Sequence, residues 1–91
     1  MNRQEILQKT IEKFGEARQL NKLQEECGEL VTAISKFREN PTRGNYNNVI
    51  EESVDVDIVL SQLKNYEYPK GDVDIWEKRK LYRLRGMGED V

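Results

Sequence analysis

Glu25-Glu26-Cys27-Gly28-Glu29 and Glu51-Glu52-Ser53-Val54-Asp55 each place carboxylates three and four positions apart. On an α-helix such residues project from one face, about 60° or 40° apart around the axis. Two such helices packed side by side would gather four or five carboxylates in one place. Without a cation that group repels itself; with Mg²⁺ it becomes a site for handling phosphates. The chain contains no histidine. That removes Ser-His-Asp and Cys-His hydrolase designs, histidine-bearing zinc sites and the Glu-x-x-His pattern of di-iron bundles. Any metal must be held by oxygen ligands, a donor set that favours Mg²⁺, Ca²⁺ or Mn²⁺.

The neighbours of these acids separate a site from a solvated face. Exposed helices usually set Lys or Arg three or four residues from an acid, which stabilises each pair by roughly 0.2–0.5 kcal/mol. Glu29 has Glu25 and Glu26 behind it and Thr32 and Ala33 ahead; Asp55 has Glu51 and Glu52 behind it and Ile58 and Val59 ahead. Lys22 compensates Glu25 and Glu26 in part, and nothing local compensates Asp55. A single Glu-x-x-Glu is a weak signal, because solvated helices carry many. Two pairs, both short of bases and joined by one turn, are a stronger one.

The elements that must position them read as helices between three breaks. Arg3 to about Phe14 carries Ile6, Leu7, Ile11 and Phe14 at helical spacing and stops near Gly15. From about Ala17 to Glu39, Leu20, Leu23, Cys27, Leu30, Ile34 and Phe37 recur at steps of three and four, widened by Val31. That predicts a helix with an apolar contact stripe that includes Cys27 as a small core residue. Asn40 to Gly44 is turn chemistry. A third helix is expected from about Tyr46 to Asn65, apolar on more than one face and so buried on two sides. Tyr66 to Gly71 reads as a loop. A basic last helix, capped by Asp72 or Asp74, spans about 72–85, and Gly86 to Val91 are expected to fray.

Beside the apolar stripe of the second helix runs a polar one, Gln19, Lys22, Glu26, Glu29, Ala33 and Lys36; the third helix carries Asn45, Asn48, Glu52, Asp55, Val59 and Gln62 in the same sense. The Pro41 turn is short, so the helices should pack antiparallel and bring the two acidic midpoints together.

With 91 residues, 36% hydrophobic and 35% charged, the expectation is one domain over residues 1–91 with a thin core over 17–65, a size often completed by oligomerisation. The formal net charge of −2 offers no bulk attraction to a nucleic acid polymer or an anionic membrane. No window approaches the ~18 apolar residues of a membrane span, and one cysteine gives no disulfide framework; a cytoplasmic location is the expectation.

At Glu25-Glu26-Cys27-Gly28-Glu29-Leu30-Val31 and Glu52-Ser53-Val54-Asp55-Val56 the chain resembles the MazG-like, all-α nucleoside triphosphate pyrophosphohydrolases. That superfamily is marked by Glu-Glu-x-x-Glu on one helix and Glu-x-x-Asp on the next; the likeness runs from about Leu20 to Leu63. The resemblance implies a compact bundle of about four helices, completed as a homodimer or homotetramer. It implies cleavage of the α–β phosphate bond of (d)NTPs to a monophosphate and pyrophosphate, in nucleotide metabolism or pool cleansing. It also implies Glu26, Glu29, Glu52 and Asp55 as ligands of Mg²⁺, with Mn²⁺ as substitute, and Glu25 as a supporting catalytic group; Glu51 lies outside the motif. Lys36, Lys80 and Arg83 are the bases expected to bind phosphate. Trp76 reads more readily as core than as a base-stacking ring. A non-catalytic nucleotide-binding or protein-interaction module of the same fold is the competing expectation.

Overall fold

Gly15 sets the first change of direction. It adopts φ 84° and ψ 166°, a region that side-chain-bearing residues almost never enter. Its N–H closes α1 (Arg3–Phe14) by donating to the Ile11 carbonyl at 2.8 Å, and α2 (Glu16–Glu39) starts on the next residue. Asn2 caps α1 by accepting from Glu5 N at 2.9 Å. This is the computed structural model of the chain; it describes residues 1–89.

The turn after α2 is tied from both sides. Asn45 Nδ2 donates to the Asn40 carbonyl at 2.8 Å, and the Thr42 hydroxyl accepts from Asn45 N at 3.1 Å. Thr42 is therefore an N-cap, and α3 (Arg43–Tyr66) begins three residues before the expected Tyr46. Gly44, expected in the turn, lies in its first helical turn. Asn45 has a turn role.

The last helix also starts earlier than expected. Neither Asp72 nor Asp74 caps it: the Pro69 carbonyl accepts from Asp72 N and Val73 N, and α4 runs Lys70–Glu89. Proline lacks an N–H, so the helix loses nothing by beginning behind it. Asp72 instead lies in the first turn, where a carboxylate favours the positive helix end. Gly86 to Glu89, expected to fray, are helical. Asp90 and Val91 lie outside the described residues.

All four elements are helices, and among the described residues there is no strand. Among the described residues no helix is long and apolar enough to cross a membrane. Helices α1, α2 and α3 form a bundle, with α1 against the α2–α3 pair, and α4 comes near α3 alone. The radius of gyration is 16.0 Å, against about 12 Å for a closed globule of this length.

The core is thin. Ile11, Val59 and Leu63 form its centre, with Leu23, Tyr66 and Tyr68 packed around them. Cys27 and Trp76, expected in the core, are exposed in the single chain. So are Leu20, Ile34, Ile50 and Val54, and Val31 is 64% exposed. Replacing Gly15 by Ala puts a Cβ on a backbone that disfavours it; urea denaturation should show a loss of about 1–3 kcal/mol, and an unchanged midpoint would refute the strained turn.

Candidate metal centre

Helices α2 and α3 meet along their polar stripes. Gln19, Glu26 and Ala33 are the buried residues of α2, while Val59, Gln62 and Leu63 are those of α3. Leu23, Leu30 and Phe37 are half-buried at the edge of the seam, and Leu20, Cys27 and Ile34 face outward. The expected apolar stripe is thus only half used: α3 docks on its polar border. Small Ala33 permits close approach. Gln19 Nε2 donates to Gln62 Oε1 at 2.6 Å across the seam.

This docking takes Glu26 out of water. It is 5% exposed, and its Oε1 pairs with Lys22 Nζ at 2.9 Å. Its Oε2 has no hydrogen-bond partner, and neither has the buried Oε2 of Glu52 on the facing helix. A buried polar atom left unpaired costs about 1–3 kcal/mol, and more when charged. Asp55 completes the group: one oxygen from each of Glu26, Glu52 and Asp55 lies within 4.8 Å of the others. Converging carboxylate oxygens with no donor are the surroundings that a hard divalent cation seeks.

Protonation reflects the crowding. Glu26 is held below the usual carboxylate range, first by its hydrogen bond from Lys22, against the opposing effect of burial. Glu29 is pushed the other way, first by the negative charge of Glu26 and then by a hydrogen bond with Glu52. With both ionised, Glu29 and Glu52 repel.

Of the four expected ligands, three converge, and Glu29 stands on the exposed rim beside Glu52 and Glu26. An open cleft of about 380 Å³ adjoins the cluster; Glu25, Glu29, Glu52, Asn48, Thr32 and Lys36 are among its walls. Lys36 therefore shares a cleft with the acids, as its position seven residues after Glu29 suggested. Lys80 and Arg83 do not come to this cleft within one chain. Both are exposed on α4, and Lys80 Nζ lies 5.8 Å from the centre of the Trp76 ring. Tyr46 packs on Phe37 with ring centres 5.3 Å apart.

On the other side of Glu25, a second cleft of about 520 Å³ opens under α1, with Phe14, Arg18 and Gln19 in its walls. Residue spacing gave no signal for Phe14 or Arg18, because the cleft exists only through the way α1 folds back at Gly15. The two clefts share Glu25. Comparison with protein-family models, with curated proteins and with solved structures finds no match for this chain.

The raised pKa of Glu29 carries a signed consequence in metal-free buffer. Stability gained from its proton is complete below the ordinary value of 4.5 and is lost as pH rises through the higher folded value. Glu26, shifted down, contributes stability that is lost as pH falls below 4.5. Melting curves in EDTA should therefore show wild type losing stability relative to Glu29→Gln as pH is raised from 4.5. Parallel pH profiles for the two proteins would show that Glu29 is not crowded.

Proposed function

We propose that the chain is a Mg²⁺-dependent nucleoside triphosphate pyrophosphohydrolase of the MazG-like kind, acting on (d)NTPs as a homodimer or homotetramer. One observation carries the reading: Glu26 Oε2 and Glu52 Oε2 are buried without a donor, in two carboxylates that converge with Asp55 from facing helices. Two such atoms on facing helices oppose docking, a cost that a bound cation would remove. The motif resemblance at the same residues gives the reaction class.

Glu26, Glu52 and Asp55 would hold the ion, with Glu29 closing the set from the rim. Bound there, Mg²⁺ supplies neutralisation of the phosphate chain and Lewis acidity, with Mn²⁺ able to substitute. The chain's own groups do the rest. Lys36 reaches over the cleft and binds a terminal phosphate as a point charge. Glu25 and Glu29 present exposed carboxylates to the same space and order a water by accepting its hydrogen bonds. Attack of that water on the phosphate chain breaks the α–β anhydride and leaves a nucleoside monophosphate and pyrophosphate. Such a reaction asks for positioning and charge stabilisation rather than a side-chain nucleophile, which suits a site without histidine or a buried cysteine.

Self-association is part of the proposal. The outward apolar residues of α2 and α3, together with Ile75, Trp76, Leu81 and Leu84 of α4, offer apolar surface that a second copy could bury. A second copy covering them would also bring a basic α4 to a different position, so Lys80 and Arg83 remain candidates for phosphate binding in the assembly.

Two variants separate the roles. Glu52→Gln should lower Mg²⁺-dependent pyrophosphate release by about 10²-fold or more, while Lys36→Ala should raise KM more than it lowers kcat. An assay over all common NTPs and dNTPs that resolves pyrophosphate from single phosphates checks both. Full activity in Glu29→Gln and Asp55→Asn would remove the site.

A further inference from the structure

The cleft under α1 has a construction of its own. Gln62 Nε2 donates to the Leu7 carbonyl at 3.2 Å. A carbonyl can only accept, so this contact fixes which end of the Gln62 amide faces α1. Its Oε1 must then face Gln19, and Gln19 must turn its NH₂ group toward it, as the 2.6 Å contact shows. The relay runs from a backbone atom through two amides that are 2% and 6% exposed. It ends at Gln19 Oε1, which accepts no hydrogen bond among the described residues. Gln19 lines the cleft. An acceptor whose orientation is fixed in this way selects for a donor.

The remaining walls suit a flat aromatic ligand. Ile58 and Val59 supply apolar surface. The Arg18 guanidinium lies 4.0 Å from the centre of the Phe14 ring, so two planar groups stack at the same cleft and offer a face for a third. Glu25 joins this cleft to the acidic one, and Lys22, the partner of Glu26, also lines it. A ligand with its phosphates at the carboxylate cluster can extend past Glu25 into this cleft.

We propose that the cleft under α1 is the nucleobase subsite, and that Gln19 is its specificity-determining residue, selecting bases whose exocyclic amine donates to Gln19 Oε1. The inference rests on the reading of the acidic cluster as a nucleotide site. Cytosine and adenine carry that amine; uracil and hypoxanthine carry a carbonyl oxygen at the same ring position, which would set acceptor against acceptor. A site built around a buried hydrogen-bonding group rejects the analogue that lacks the matching group.

The test uses α,β-methylene analogues of CTP, UTP, ATP and ITP, which bind without being cleaved, titrated calorimetrically into the full chain with Mg²⁺. Wild type should prefer each amine-bearing member to its keto counterpart at least about tenfold. Gln19→Met, shown by its melting curve to be folded, should bring each pair to within about twofold, because a thioether is only a weak acceptor for the amine. Phe14→Ala should weaken all four ligands alike and keep the preference, since stacking does not depend on base identity. Equal binding of amine and keto members by wild type overturns the proposal, as does a preference that survives in Gln19→Met. Discrimination in binding without pyrophosphate release from CTP or ATP would keep the subsite and remove the hydrolase reading. Release from all four natural nucleotides at one kcat/KM would do the reverse, and no binding of any analogue would remove both.

Discussion

Two helices of this protein are pressed together across a seam that contains its own repulsion. Glu26 and Glu52 each bury an oxygen without a donor, and Asp55 adds a third carboxylate to the same volume. Lys22 offsets part of this charge, from the solvent side and at one oxygen of Glu26 only. The rest of the α2–α3 contact must outweigh the cost, through the Gln19–Gln62 pair, the close fit at Ala33 and the small core at Leu63. A divalent cation reverses the sign of the central term: the carboxylates that oppose docking would become ligands shared by both helices. Ion binding and helix pairing are then one equilibrium, since a ligand that binds only the folded chain stabilises it.

The polar seam also explains what lies outside it. The stripes used for α2–α3 docking lie beside the most apolar ones, so Leu20, Cys27, Val31 and Ile34 on α2, and Ile50 and Val54 on α3, are left on the surface. A domain with a core this thin has little to spare, and α4 adds a further exposed apolar length. Self-association with a second copy, as proposed above, would cover these exposed apolar residues.

Much of this was legible in the sequence. The four helices followed from apolar spacing and from the breaks at Gly15, Pro41 and Pro69, and the carboxylate cluster followed from heptad steps along α2 and α3. The misplaced boundaries came from turn chemistry. Thr42 and the Pro69 carbonyl turned out to be the caps, so Gly44 and Lys70 belong to helices rather than loops. Cys27 was misjudged for a different reason. Periodicity reports that a face is apolar, not which of its two borders meets a neighbour inside the same chain. The cleft under α1 had no sequence signature at all, because Leu7, Gln19 and Gln62 meet only through tertiary packing and their chemistry depends on which amide end faces a backbone carbonyl.

The proposed site places a cation between Glu26, Glu52 and Asp55. Anomalous diffraction from crystals of the chain soaked in Mn²⁺, recorded near the manganese edge, tests it without reference to activity. A peak in direct contact with Glu26 Oε2 and Glu52 Oε2 is the expected result. Crystals that show manganese elsewhere on the surface, and none between these two oxygens at millimolar concentration, would contradict it.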